Sequence, residues 1–199
     1  MQGDRVIGQR IIVAVTGASG AIYARQTLER LIAADSVEHI ALVCSATALK
    51  TLPFEGVELP SHPKIETFDN GDLFAPPASG SARYDAMIVA PCSAGTLGRI
   101  ACGTAQTLIE RAADVMLKER RRLIFVFREA PYSLIHLRNM TAVTEAGGII
   151  LPASPSFYSH PSTIGELVST VVERTLSLAG VETPHYEWGT SNEQLAISN

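Results

Sequence analysis

The sequence predicts an α/β protein built on a parallel, doubly wound sheet, and three observations predict it. Short apolar, β-branched runs at 11–16, 38–44, 85–90 and 123–127 alternate with stretches of helical period. The runs at 85–90 and 123–127 have almost no polar interruption, as expected of central parallel strands covered on both faces. Glycine, serine and proline gather directly after several of these runs, at Gly17-Ala-Ser-Gly20 and Pro91-Cys-Ser93, where a strand turns into a helix.

Taken in order, 11–16 is a strand that ends in the Gly17–Gly20 turn and feeds an amphipathic helix over 21–34. A second strand follows at 38–44, a helical stretch at 45–52 and a weak third strand at 64–68. Proline and glycine make 53–80 the loop-rich section. The strand at 85–90 is closed by Pro91, because proline cannot donate to a ladder, and leads into a glycine-punctuated helix at 94–101. A helix at 107–120, a strand at 123–127, a helix at 133–147, a short strand at 148–151 and a last long helix at 162–179 complete the alternation. One domain spanning 1–199 is expected, with 181–199 a polar tail that packs on a neighbouring subunit or a site and carries the single tryptophan, Trp188.

Charged residues are 18% of the chain against 46% hydrophobic, with mean hydropathy +0.17, which is lean for an isolated protomer and points to surface covered by sister subunits. A net charge of -4 and a pI near 5.7 argue against a nucleic-acid footprint, since a phosphate backbone calls for a strongly basic face. No apolar run reaches the roughly 18 residues of a membrane span, and Met1-Gln-Gly-Asp-Arg5 lacks the layout of a signal peptide, so a cytoplasmic protein is expected. Cys44, Cys92 and Cys102 form no C-x-x-C and are read as small buried thiols. The five histidines show no ligand spacing and no aspartate-rich motif is present, so no metal is expected.

The segment from Leu108 to Pro131 is the most informative. Arg111 and Lys118 are seven residues apart, so both leave one face of a helix. Arg128 and Glu129 then stand at the end of the 123–127 strand, and ligands collect at the carboxyl ends of strands in open α/β sheets. Together these residues read as one anion-binding site; the alternative for 118–122 is a basic helix end serving the helix dipole. Gly17, Ala18 and Ser19 let backbone amides and a hydroxyl approach a phosphate, or form a purely structural turn. A dinucleotide site would want an acidic residue at the end of the second strand. That place holds Cys44-Ser45, which disfavours NAD and leaves a mononucleotide such as FMN in better standing. Ser93, Ala94, Gly95 and Thr96 suit a flavin grip or an ordinary helix start capped by Ser93. Ser79 sits in a rigid proline-serine loop, and Tyr158 lies just past the last strand; each is read either toward a ligand or as inert turn and packing.

The ordered set Thr16-Gly-Ala-Ser-Gly-Ala21, Pro76-Pro-Ala-Ser-Gly-Ser81, Pro91-Cys-Ser93, Leu108-Ile-Glu-Arg-Ala-Ala-Asp-Val115, Leu117-Lys-Glu-Arg-Arg121, Arg128-Glu-Ala-Pro131, His136-Leu137, Asn139-Met140 and Phe157-Tyr158 resembles the UbiX family of flavin prenyltransferases. The resemblance covers about 11–188 and implies a flavodoxin-like fold in a homo-oligomer, usually a dodecamer, with sites at subunit junctions. It implies transfer of a dimethylallyl group from dimethylallyl phosphate to N5 and C6 of reduced FMN without a metal, the product serving a UbiD-type decarboxylase. Matched position by position, Gly17, Ala18, Ser19, Ser45, Ser93, Ala94, Gly95, Thr96 and Arg128 fall on the flavin-contacting segments. Arg111, Lys118, Glu129, Tyr158 and Arg174 fall around the prenyl phosphate, with Ser79 and Trp188 near it, while the role of Glu55 stays open.

The implied chemistry suits these residues, because loss of an allylic phosphate needs positive charge on the leaving oxygens and a dry wall around the carbon fragment. Arg111, Lys118, Arg174 and Tyr158 answer the first need, the reduced flavin forms part of the wall with Trp188 as its lid, and Glu129 is the carboxylate placed for proton transfer. The rivals are an FMN-dependent cysteine decarboxylase, which wants an active-site histidine near the chain start where none precedes His39, a non-catalytic FMN-binding oligomer, and an NAD-dependent oxidoreductase.

Overall fold

The computed structural model describes residues 8–182. Six strands, β1 (Gln9–Val15), β2 (Val37–Cys44), β3 (Ile65–Phe68), β4 (Ala86–Cys92), β5 (Arg122–Phe127) and β6 (Ile149–Pro152), form one sheet in the order β3-β2-β1-β4-β5-β6, every pair parallel. This is the doubly wound parallel sheet that the alternation predicts, and the flavodoxin-like, Rossmann-type fold that the resemblance implies. Its order reverses between β1 and β4, the switch point where such sheets open a crevice at their carboxyl ends.

Alternation along each strand sends successive side chains to opposite faces. Ile11, Val13, Val15, Ile88, Ile124 and Val126 pack under α1 (Ala21–Ala33) and α6 (Ile164–Ala179) through Leu28, Leu31, Val172 and Leu176. Ile12, Ala14, Met87, Val89, Leu123, Phe125 and Phe127 pack under α3 (Ala94–Ala101) and α4 (Leu108–Lys118) through Leu97, Ile100, Ala112, Val115 and Met116. Burying both faces explains why β1 beyond Arg10, β4, and β5 beyond Arg122 carry no polar side chain. α5 (Leu134–Glu145) lies outside α3 and buries only Val143, leaving Leu134, Ile135 and Leu137 exposed beside Tyr132.

Helix starts follow local chemistry. Thr107 with Glu110, Ser133 with His136 and Thr163 with Glu166 close capping boxes at α4, α5 and α6, and Ser93 caps α3. Three expectations need correction. β4 continues through Pro91 to Cys92, because the register slips between Val89 and Cys92 and proline is tolerated where the ladder is already broken. α2 (Ala48–Phe54) runs past Pro53, whose missing donor falls in the last turn of a seven-residue helix. The loop-rich section contains two single 3-10 turns, Pro76–Ala78 and Gly80–Ala82, the first opened by consecutive prolines.

Candidate functional site: a cradle at the carboxyl ends of the strands

The ends of β1, β2, β4 and β5 converge on one cradle. Thr16, buried after β1, donates its hydroxyl to the Pro91 carbonyl at 2.7 Å and accepts from the Ser93 amide at 2.8 Å, so the β1 and β4 exits are bolted together. The Ser45 amide donates to the Val15 carbonyl at 2.9 Å, and the Arg128 amide to the Cys92 carbonyl at 3.1 Å. Gly17–Ser19, Ser45, Ser93–Thr96 and Arg128 therefore follow directly on neighbouring strand ends, on one side of the sheet. Gly17 is dictated by space, since a Cβ there would collide with the Thr47 side chain. Gly20 adopts φ 106°, the left-handed region that disfavours a side chain.

At the start of α3 the Ser93 hydroxyl accepts from the Thr96 amide at 3.3 Å and pairs with the Thr96 hydroxyl at 3.1 Å. The first turn of a helix has amides without intrahelical partners, so those of Ala94 and Gly95 remain for an anion. A set of hydroxyls, first-turn amides and one guanidinium, Arg128, fits a flavin mononucleotide and its phosphate, and its small side chains leave room for a flat ring.

The start of α1, just past the turn after β1, is held from outside. Glu55, at the end of α2, places its carboxylate against α1, accepting from the Gly20 amide at 3.0 Å and the Ala21 amide at 2.7 Å. It also bonds the Ser19 side chain and lies in the field of Arg128. Partial burial would raise the Glu55 pKa, but these hydrogen bonds and the Arg128 charge win and hold it below the usual carboxylate range. The chain's own carboxylate thus takes the first amides of α1, one step beyond the Gly17–Ser19 amides read toward a phosphate. No motif in the sequence announces Glu55, because it reaches this place from 35 residues away.

Arg111 and Lys118 are not in this cradle. α4 begins beside the end of β3, where its first amides donate to Asn70, and runs back toward the amino ends of the strands. Arg111 donates to the Ala78 carbonyl at 3.1 Å and pairs with Asp114 at 2.6 Å; Lys118 pairs with Glu119. Arg121 donates to the Gly80 carbonyl at 2.9 Å, and the Ser79 and Ser81 hydroxyls pair at 2.8 Å. The same turn touches the start of β1, because the Arg10 side chain donates to the Ala82 carbonyl. Ser79, Arg111 and Lys118 therefore do form one patch. Within one protomer, however, Lys118 stands at the opposite end of β5 from Arg128 and Glu129, and six strand residues span roughly 20 Å. The expected meeting of Lys118 with Arg128-Glu129 does not occur inside a single chain, because β5 itself holds them apart.

Tyr158 lies on the loop that leaves β6 at the carboxyl end of the sheet, where the Ala153 amide donates to the Phe127 carbonyl at 2.9 Å. The loop carrying Tyr158 is tied to α6 by the Ser156 amide donating to the Thr170 hydroxyl at 3.1 Å, and Arg174 lies exposed on α6, on the far face of the sheet from α4. Trp188 lies outside the described residues. A hollow of about 720 Å³ between α1 and α6 is lined by Glu29, Arg30, Glu166 and Glu173; three carboxylates against one guanidinium make it the wrong charge for a phosphate, and it is separate from the cradle.

Cys44 and Cys92 border the cradle as inert thiols. Burial pushes Cys44 up to about 11 and Cys92 higher still, so both stay protonated at neutral pH. Cys102, expected to be buried, is exposed because it caps the outer end of α3. Among the described residues no group of His, Cys, Asp or Glu is placed to hold a metal ion, and no helix is long and apolar enough to cross a membrane.

Residues 4–176 match the family described as Flavoprotein. The flavin prenyltransferase UbiX of Pseudomonas aeruginosa is 43% identical over 189 residues, covering 87% of this chain and 90% of its own length. The crystal structure of AnUbiX (PadA1) in complex with FMN and dimethylallyl pyrophosphate is 41% identical, with a TM-score of 0.81 over 91% of this chain and 99% of that one. A dodecameric FMN-dependent UbiX-like decarboxylase from Escherichia coli O157:H7 is 39% identical, with a TM-score of 0.82 over 90% of this chain and 98% of that one. With such agreement along nearly the whole length, over a cradle whose donors suit a flavin mononucleotide, this chain belongs to the flavoprotein family and, within it, to the UbiX-type flavin prenyltransferases.

Proposed function

We propose that the protein transfers a dimethylallyl group from dimethylallyl phosphate to N5 and C6 of reduced FMN, supplying a prenylated flavin to a UbiD-type decarboxylase. The observation that carries this reading is the convergence of Ser45, Ser93–Thr96 and Arg128 around the Gly17–Ser19 turn at the β1/β4 switch point. Those residues hold the flavin, with the amides of Ala94 and Gly95 toward its phosphate. Reduced FMN, when bound, supplies the nucleophilic positions that accept the allyl carbon.

The chain's own residues perform the rest. Arg111 and Lys118, with Tyr158 and Arg174, hold the prenyl phosphate and draw off the charge that grows on its leaving oxygen. Ser79 adds a hydroxyl beside Arg111, and Trp188 is assigned to shield the site from water. Glu129, next to Arg128 at the cradle rim, takes up the proton released as the second carbon bond forms. The Lys118 patch and the Arg128-Glu129 rim, held apart by β5 in one protomer, share a site only across copies, so the site is assigned to junctions between subunits of a homo-oligomer. The bare apolar side chains of Tyr132, Leu134, Ile135 and Leu137 beside the cradle suit such a junction.

The decisive experiment is anaerobic incubation with reduced FMN and dimethylallyl phosphate, or the diphosphate in a parallel arm, followed by mass spectrometry of the extracted flavin. Gain of one C5H8 unit is expected. Flavin that binds and leaves unchanged with both donors would reduce the protein to an FMN carrier.

A further inference from the structure

A chain of polar contacts runs from the flavin-contacting turn into α4, and nothing in the proposed chemistry uses it. Glu110 is 2% exposed, which is unusual for a carboxylate, and it is fully engaged. One oxygen accepts from the Gln106 amide at 2.9 Å and the Thr107 amide at 3.1 Å, closing the capping box of α4. The other accepts from Nε of Arg99, on α3, in a short contact. Burial alone would raise the Glu110 pKa, yet Arg99 and the two amides hold it below the ordinary range, so the carboxylate stays charged.

A capping box needs only Glu110 and Thr107, and the arginine continues past it. Its Nη2 donates to the Thr96 hydroxyl at 3.3 Å, and its Nη1 lies 3.4 Å from where a Cβ on Gly95 would stand. Thr96 in turn holds Ser93, whose amide is fixed to Thr16. A planar guanidinium presents its donors in a rigid fork, so gripping Glu110 with one arm fixes the direction of the other. We infer that Arg99, held by the buried Glu110, is a positioning residue that sets the Gly95–Thr96 turn in its ligand-ready shape and ties that turn to the helix carrying Arg111. The inference rests on the reading of Ser93–Thr96 as a flavin contact.

Titration of the purified apoprotein with FMN, followed by quenching of flavin fluorescence, tests both layers, with the melting temperature recorded for each variant. Thr96→Val removes the hydroxyl and should weaken FMN; unchanged affinity there would overturn the flavin reading of the turn and the inference with it. Arg99→Met combined with Glu110→Gln removes both charges together and leaves no buried charge unpaired. It should weaken FMN about tenfold, the scale of one lost hydrogen bond, and add little further loss in the Thr96→Val background. Arg99→Lys keeps the attraction to Glu110 but not the second arm, so it should recover melting temperature while leaving affinity impaired. If Thr96→Val weakens FMN while the Arg99/Glu110 pair variant only melts earlier and binds as before, or if Arg99→Lys restores full affinity, the pair is merely structural and the inference fails.

Discussion

The cradle and the cationic face of α4 are built on opposite plans. The cradle is made of short side chains and backbone, pinned by buried hydrogen bonds between neighbouring strand exits, such as Thr16 to Pro91 and Ser93. The cationic face is made of long, half-exposed side chains, and each cation already has an acidic neighbour, Asp114 for Arg111 and Glu119 for Lys118. One protomer preforms the first with little freedom left to lose. The second is a charged surface whose attractions to water and to its own acids would have to be exchanged for a ligand, a cost that the proposed closure by another subunit would offset.

The sharpest break in this contrast is at Glu129. Glu129→Gln should leave FMN affinity unchanged and slow product formation by about 10²-fold or more, the scale of a lost proton-transfer group, measured by mass analysis of the flavin. Full activity in that variant would remove Glu129 from the chemistry. Next comes Lys118→Ala, which should cut kcat/KM for the prenyl phosphate by roughly 10²-fold without altering FMN binding, since the proposed flavin contacts do not include it. Mixing Lys118→Ala subunits with Arg128→Ala subunits should then regain activity that neither has alone. Failure of the mixture would mean that the two residues serve one and the same protomer.

A smaller effect is expected in the cradle floor. Gly17→Ala should lower stability by about 1–3 kcal/mol in a denaturant titration, because its new methyl meets Thr47. An unaltered midpoint would show that the β1 turn gives way easily. Smallest is Glu55→Gln. The folded-state pKa of Glu55 is depressed, so its carboxylate contributes stability fully present above its unfolded value and lost as pH falls through the folded one. The variant should therefore melt slightly below wild type at neutral pH, with the gap closing in acid. A gap that persists or widens at low pH would contradict the assignment of Glu55 to the α1 amides.

The strand and helix pattern was legible because burial on both faces writes itself as continuous apolar runs, and the Ser93, Thr107, Ser133 and Thr163 caps mark helix starts within a few residues. The cradle residues were legible for a related reason, since they follow directly after strands. What misled was nearness along the chain. Lys118 and Arg128 are ten residues apart in sequence, yet the intervening strand carries the chain from the amino end of the sheet to its carboxyl end. Glu55 and Asn70 were hidden for the opposite reason: each reaches its helix start from 34 to 39 residues away, and only the folded chain reveals the meeting. Pro53 and Pro91 did not stop their elements, because the bonds they forgo fall where a helix ends or a ladder slips.

The length of β5 has a bearing on how activity scales with protein. If the flavin grip sits past one end of that strand and the phosphate grip before the other, dilution acts on the two unequally. Chains thinned until they part would remain yellow and cease to turn over, so colour would report the single molecule while catalysis reported the company it keeps.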